Sequence, residues 1–323
     1  MSSYLRKLAL FLLPLMALCL VELFLLPINF FTFRCWEAVY DAHQRIGLPG
    51  PFYPNQHIIM YEAGDKLGFR DNDRQIVEWF TDEYGFRNRP SGCVPERYDF
   101  VLLGDCNIAG TGLDQRDTLA EVLVRKSSCT AYSYGSSHSM SYFWSDPRFL
   151  SHPPKTIVAE ALPGNFHYAC RRSYYATDRC ELPQSSLPMW AQVARSRVFY
   201  RQNMLNFVKS RIGSAVYQSN TPSEKELSTP ERVELMLSLV LAMQKEARRR
   251  GSDFIFFLMP TEDRSLDDGI HRLREAGVKT IAYLPTPEHP HGVDLEWYRQ
   301  SRDSHWSREA VELTADEILK LTR

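Results

Sequence analysis

From Asp99 onward, short and almost uninterrupted apolar runs alternate with stretches whose apolar positions recur at helical spacing. The runs Asp99–Gly104, Thr130–Tyr134, Thr156–Ala161, Asp253–Met259 and Lys279–Leu284 read as strands covered on both faces, because a strand with one wet face would alternate apolar and polar residues. Helical patterns lie near Thr118–Arg125, Ser139–Leu150, Pro188–Ile212, Glu231–Arg249 and Leu266–Ala276. Thr229-Pro230 offers an N-cap with proline at the first helical position. Ser265 and Asp268 have capping-box spacing, and Ser307 is placed to cap a last helix running to about Leu321. This rhythm predicts an α/β fold: a doubly wound parallel sheet in three α/β/α layers. Two regions break it. Residues 35–96, rich in Pro, Gly, Asn and Asp from Pro49 on, read as an irregular lead-in packed on the domain. Within the α/β domain of residues 97–323, an insertion or cap is expected at about 170–230.

The start of the chain has a different pattern. Leu8 to Phe33 is almost wholly apolar and follows Arg6 and Lys7. As a helix it is long enough to cross roughly 30 Å of hydrocarbon. Pro14 and Pro27 favour a kink or an early end. A secretory signal peptide is the rival reading, but no small-residue cleavage site follows the run. A buried core helix would carry a polar face. Residues 1–34 are therefore expected to be one transmembrane anchor. The basic residues before it favour a cytoplasmic N-terminus and a soluble body across the membrane.

Composition narrows the remaining choices. The 323 residues carry 38 Lys+Arg against 39 Asp+Glu, a formal net charge of -1. That balance gives no global attraction to nucleic acid, so no nucleic-acid partner is expected. A mean hydropathy of -0.33 excludes a polytopic membrane protein, and 24% charged with 12% aromatic residues argues against disorder. No internal repeat or low-complexity tract is present.

Seven cysteines is an odd number. A body outside the cytoplasm can form disulfides. Cys170 and Cys180 flank a short polar loop, and Cys93 and Cys129 each precede a predicted strand whose starting ends would be neighbours, so both pairs are candidate bridges. Cys19 and Cys35 fall in or just after the anchor. Cys106 is left over.

Ligands of open parallel sheets bind outside the carboxyl ends of the strands, and Cys106 stands there, in Leu102-Leu103-Gly104-Asp105-Cys106-Asn107. A helix N-terminus close behind it would favour the thiolate; a buried structural cysteine is the plainer alternative. Near the other end, Asp303-Ser304-His305-Trp306 precedes the last helix. A carboxylate two residues before an imidazole can orient it as general base toward a nucleophile. Other features carry less. Arg248-Arg249-Arg250 reads as a solvated helix end, and His289-Pro290-His291 lacks a third metal ligand. Gly110-Thr111-Gly112 lacks the Lys-Ser/Thr pair of a phosphate loop. Trp144, Phe149, Phe166, Tyr168, Tyr174 and Tyr175 are placed either to stack on a sugar or to fill the core. No metal or cofactor is expected.

Gly104-Asp105-Cys106 resembles the Gly-Asp-Ser block of SGNH/GDSL hydrolases, with sulfur in place of the serine oxygen. Asp303-Ser304-His305-Trp306 resembles the Asp-x-His-Trp block of the alginate O-acetyltransferase-type branch, which modifies polysaccharides. Asp82-Glu83-Tyr84-Gly85-Phe86-Arg87-Asn88 is similar to the lead-in of membrane-anchored members. Gly135, in Tyr134-Gly135-Ser136-Ser137, and Asn165, in Pro163-Gly164-Asn165, fall where the second and third blocks place a glycine and an asparagine. The resemblance covers roughly Asp65 to Arg323. It implies a flavodoxin-like sheet, with Cys106 as nucleophile, His305 as base and Asp303 as its orienter. The oxyanion hole would comprise the Cys106 and Gly135 N–H groups and the Asn165 side chain, while Asp105 would be structural. The expected protein is a single-pass protein of the bacterial inner membrane whose periplasmic domain acts as an O-acyltransferase or esterase on a cell-surface or secreted polysaccharide. A membrane-bound O-acyltransferase partner would supply the acetyl group. An inactive glycan-binding or assembly protein on the same fold is the alternative, and a thiol esterase for a small soluble substrate is a third reading.

Overall fold

A computed structural model describes residues 50–62 (53 aside), 75–90, 95–135, 140–168, 175–177, 226–259, 264–282 and 306–322, with several positions between 7 and 20. Two compact units divide the chain: residues 1–40 with 185–222, and residues 41–184 with 223–323. In the first unit the described positions are helical, and Leu10, Phe11, Leu13, Met16 and Leu20 are exposed. Among the described residues, no helix is long and apolar enough to cross a membrane. The helix expected over Pro188–Ile212 lies outside them, as does the middle of the expected insertion.

The second unit begins with β1 (His57–Glu62) and β2 (Gln75–Phe80), and continues with β3 (Phe100–Gly104), α1 (Leu119–Ser127), β4 (Ala131–Gly135), α2 (Met140–Phe143), α3 (Pro147–Ser151) and β5 (Thr156–Ala161). It then runs through α4 (Thr229–Arg249), β6 (Asp253–Leu258), α5 (Asp267–Glu275), β7 (Lys279–Ala282) and α6 (Arg308–Thr322). The last five strands form one sheet in the order β4-β3-β5-β6-β7, every pair parallel. This is the flavodoxin-like order, with its switch point at β3, where the chain moves first to one side and then to the other. Both faces of the sheet are covered, so its strands are apolar throughout. Leu102, Val158, Ile255 and Phe257 pack with α1 and α6; their sequence neighbours Val101, Leu103, Ile157 and Phe256 pack with α4 and α5. The three-layer α/β/α expectation is met.

Several local expectations need correction. The helix expected over Ser139–Leu150 is two short ones, because Pro147 cannot donate the backbone bond that would carry α2 through. Asp146 caps α3 instead, accepting the Arg148 N–H at 3.0 Å. The cap of α4 is Ser228, in a reciprocal box with Glu231, which moves the expected Thr229 into the helix. No Ser265 box forms, since α5 is entered through Leu266 without a side-chain cap. The lead-in is not wholly irregular: β1 and β2 pair antiparallel, His57 opposite Phe80. On β2, Val77 and Trp79 are buried while Ile76 is exposed, the alternation of a strand with one wet face.

The segment after β2 ties this hairpin to β4, the edge strand of the main sheet. Asn88 Nδ2 donates to the Ser133 carbonyl at 3.1 Å, and its Oδ1 accepts the Ser133 N–H at 2.8 Å, so one amide takes the place of a further strand. Asp82 accepts from the Tyr84 and Phe86 backbone, from Asn88 Nδ2 and from the Tyr132 hydroxyl. Burial nevertheless pushes its carboxyl above the usual range, against these donors and Arg148.

The aromatic residues weighed for sugar stacking mostly fill the core. Trp144, Phe149, Phe166 and Tyr175 are buried, and Phe166 stacks on Tyr175 at 5.6 Å. Tyr168 is partly exposed, and Tyr174 lies outside the described residues. Arg250 also departs from expectation. Arg248 and Arg249 are solvated, but the Arg250 side chain is only 7% exposed, and its Nη2 donates to the Trp144 carbonyl at 2.6 Å.

Candidate active site

Cys106 lies two residues past the carboxyl end of β3, at the switch point. It is half-buried and not disulfide-bonded. The chain does not turn directly into a helix behind it. Residues 105–113 make a series of tight turns, with Ala109 N–H on the Asp105 carbonyl, Gly110 N–H on Asn107 and Thr111 N–H on Cys106. A 3-10 turn at Gln115–Asp117 follows, and the first α-helix downstream, α1, starts at Leu119. The helix N-terminus expected close behind Cys106 is separated from it in sequence by this run of turns. Positive φ angles at Gly110 and Gly112, 75° and 78°, let the chain reverse so tightly.

This turn is fixed from three directions. From below, Gly135 at the end of β4 lets the backbone of residues 108–109 pass directly over it; a Cβ there would stand 2.3 Å from the Ala109 nitrogen. Ser133 Oγ, on the same strand, donates to the Ile108 carbonyl at 3.0 Å. From the lead-in, the buried Arg87 donates to the carbonyls of Ala109, Gly110 and Leu113, to that of Glu78 and to Gln115 Oε1. Its guanidinium lies 3.6 Å from the centre of the Trp79 ring. The Gly-Phe-Arg-Asn segment is thus a brace: its arginine holds the turn bearing Cys106 and its asparagine holds the edge strand beside it.

The third support comes from β5. Glu160 is 1% exposed, and its Oε2 accepts the Asp105 N–H at 3.1 Å. Gly104 makes room for it, since a Cβ at that position would come within 2.4 Å of Oε2. Burial, and next the facing Asp105 carboxylate, push the Glu160 carboxyl well above the usual range. Asp105 itself turns back to bind its own loop, accepting the Asn107 N–H at 2.9 Å and Asn107 Nδ2 at 3.2 Å. That is the structural part expected of it.

Gly135 and Asn165 stand at the ends of the strands flanking β3. Gly135 is in register with Gly104. Asn165 lies in a short 3-10 turn, Pro163–Phe166, directly after β5. Its Oδ1 accepts the Leu162 N–H at 2.9 Å, which leaves the amide nitrogen, a donor, as its other polar end. Cys106, Gly135 and Asn165 are thus brought to the carboxyl ends of three adjacent strands. Asp303 and His305 lie outside the described residues. Trp306, which follows His305, is buried edge-on against Phe257 of β6, with ring centres 5.5 Å apart.

The structure places the other cysteine readings as follows. β3 and β4 are parallel neighbours as expected, but Cys129 is a thiol and not half of a bridge to Cys93. Its side chain packs against the apolar cluster of α1 and α6, and burial pushes the thiol up. Cys93, Cys170 and Cys180 lie outside the described residues, as do His289 and His291. Among the described residues no cluster of ligands suits a metal ion. A cavity of about 700 Å³ opens between the lead-in and β4, lined by Tyr84, Tyr98, Tyr132, Arg148 and Phe149 among others. Cys106, Gly135 and Asn165 do not line it.

Sequence reasoning missed Glu160 and the bracing by Arg87 and Ser133. Glu160 was signalled as the one acid in an otherwise apolar central strand. For Ser133 and Arg87 no local pattern announces which carbonyl a side chain will reach.

Fold and site together define an α/β protein with a doubly wound sheet and a candidate nucleophile at its switch point. No family model and no curated protein matches the chain. Among solved structures it is similar to a G-D-S-L family protein from Desulfitobacterium hafniense DCB-2, at 12% identity and TM-score 0.39, over 69% of this chain and 98% of that one. It is similar to a family two carbohydrate esterase from Clostridium thermocellum, at 9% identity and TM-score 0.39, over 77% of this chain and 70% of that one. A likeness to the salicylyl-acyltransferase SsfX3 of a tetracycline biosynthetic pathway has 11% identity and TM-score 0.35, over 84% and 74%.

Proposed function

We propose that this protein is an SGNH-like acyl-transfer catalyst, an O-acyltransferase or esterase of a cell-surface or secreted polysaccharide, working through an acyl-Cys106 intermediate. The observation that carries the reading is the convergence of Cys106, Gly135 and Asn165 at three adjacent strand ends, with the Cys106 turn braced from three sides. A nucleophile gains from such bracing because small misplacements are costly in rate.

In the first half-reaction the Cys106 sulfur attacks the carbonyl carbon of an acyl ester. His305, oriented by Asp303, takes the thiol proton. The C–S bond forms, the C–O bond breaks, and the departing alkoxide takes the proton back from His305. In the second, a sugar hydroxyl gives its proton to His305 as its oxygen attacks the thioester; the C–O bond forms, the C–S bond breaks, and the departing sulfur takes the proton from His305. Water in place of the sugar gives hydrolysis. The Cys106 and Gly135 N–H groups and Asn165 Nδ2 are the donors for the carbonyl oxygen as it becomes an oxyanion. On this reading no cofactor takes part.

Residues 1–34 anchor the enzyme in the bacterial inner membrane with its body in the periplasm. The exposed apolar side chains at Leu10, Phe11, Leu13, Met16 and Leu20 support this, since such a surface favours an apolar surrounding. A membrane-bound O-acyltransferase is the partner that would deliver the acetyl group.

Turnover of p-nitrophenyl acetate by the protein and its variants tests the reading. Cys106→Ala and His305→Ala are each expected to lose on the order of 10² or more in rate. Rates unchanged in both variants would contradict a Cys106 nucleophile, and no turnover by the parent would favour the alternative, a glycan-binding or assembly protein.

A further inference from the structure

Two buried acceptors stand beneath the Cys106 turn without a donor among the described residues, Glu160 Oε1 and Asn107 Oδ1. Glu160 Oε2 and Asp105 Oδ1 are served by backbone N–H groups and by Asn107 Nδ2. An unmet buried acceptor is costly, and an unpaired buried carboxylate more so. Among the described residues no cation faces Glu160 to offset a charge. Toward β3, Glu160 meets the Asp105 carboxylate, which opposes its ionisation, and the Asp105 N–H and the Asn107 side chain, whose hydrogen bonds favour ionisation but are outweighed by burial. On β6 its register partner is Phe257, and the titratable group facing it among the described residues is Asp105. One proton on Glu160 meets this need, turning Oε1 into a donor where Asn107 Oδ1 lacks one and removing one of two adjacent negative charges.

We propose that Glu160 is a positioning residue held as the neutral acid, its Oε2 fixing the Asp105 N–H and its proton shared with the Asp105–Asn107 acceptors, so that the Cys106 turn is held without a second negative charge beneath the thiol. The inference rests on reading Cys106 as the nucleophile. The burial that raises this carboxyl's proton affinity acts in the same direction. A carboxylate at Glu160 would oppose the thiolate and leave the turn with two facing charges. Glutamine at this position reproduces the neutral group, one acceptor and one donor. Alanine leaves the Asp105 N–H unmet.

Two measurements on the full-length protein test this. The first is the unfolding equilibrium of the wild type against Glu160→Gln between pH 4 and 8 (from roughly the ordinary carboxyl value upward). A raised folded-state affinity means that the folded state keeps a proton the unfolded state loses. Its stabilising effect is complete below the ordinary carboxyl value and fades as pH rises toward the folded one. The wild type should therefore lose ground to the glutamine variant as pH rises above the ordinary carboxyl value, by up to about tenfold in the unfolding constant per pH unit until the folded value is reached. The second is the rate of Cys106 alkylation by iodoacetamide, followed by peptide mass spectrometry, which needs no acyl chemistry. Glu160→Gln should match the wild type at neutral pH, while Glu160→Ala, shown folded by circular dichroism, should differ by about tenfold or more. A pH-independent stability difference, or a glutamine variant as altered as the alanine one, overturns the proposal. If both measurements come out as expected and no ester turns over, the proton assignment stands and the acyl-transfer reading fails.

Discussion

Cys106 is placed by what its neighbours do: a glycine that yields space, a serine and an arginine that hold carbonyls, and an acid that holds the N–H of the residue before it. Each support makes a distinct prediction. Gly135→Ala must push the backbone at Ala109, because the new methyl would stand 2.3 Å from its nitrogen. It should cost about 1–3 kcal/mol in denaturant unfolding and lower turnover more than stability, since the strain falls on the turn itself. Arg87→Lys keeps the charge but loses the planar fork that reaches separate carbonyls. A loss of about 3 kcal/mol in chemical denaturation is expected; an unaltered midpoint would mean that the fork is not what braces the turn. Much of this was readable at the level of residue identity. Gly104, Asp105, Cys106, Gly135 and Asn165 stand in short blocks at strand ends, where glycine and asparagine have local reasons to occur. Glu160 was visible only as an oddity in an apolar run, because its role depends on a neighbouring strand that the sequence does not point to.

Among the elements, the five strands of the main sheet were legible because burial on both faces writes itself as continuous apolar runs. The β1–β2 hairpin was hidden by the polar and Pro-rich residues around it and because Gln75–Phe80 does not alternate in sequence; Ile76 is apolar yet exposed, beside the buried Val77. The break between α2 and α3 was spelled by Asp146-Pro147, where an N-cap precedes a proline, yet helical periodicity carried the reading across it. At the end of α4, Arg250 looked like part of a solvated basic run, but Glu246 draws it inward. The Glu246 carboxyl is held at about 2, first by Arg249, against some burial, and then by Arg250. A lowered carboxyl stabilises the fold above its ordinary value and loses that effect as pH falls through the folded one. The stability difference between wild type and Glu246→Gln should thus be constant above about pH 5 and shrink toward pH 2. Thermal unfolding across that range is the check, and a difference that grows on acidification would contradict the ion pair.

For the whole molecule, alternating strands and helices were enough to expect three layers, and the strand order then put the switch point at β3. What pattern alone did not supply is where the segment before the last helix meets the sheet; among the described residues Trp306, seated on Phe257 of β6, marks its end. The apolar start of the chain predicts a second behaviour of the whole protein. Full-length material reconstituted with lipid vesicles should stay with them through high salt, which screens surface charge but leaves apolar burial intact; release into the supernatant would count against an anchor. The central claim, that Cys106 carries an acyl group, is tested most directly by mass spectrometry of the protein quenched during reaction with p-nitrophenyl acetate. The account predicts one acetyl group on the peptide containing Cys106, absent in Cys106→Ala. An unmodified Cys106 peptide while ester is being turned over would contradict it.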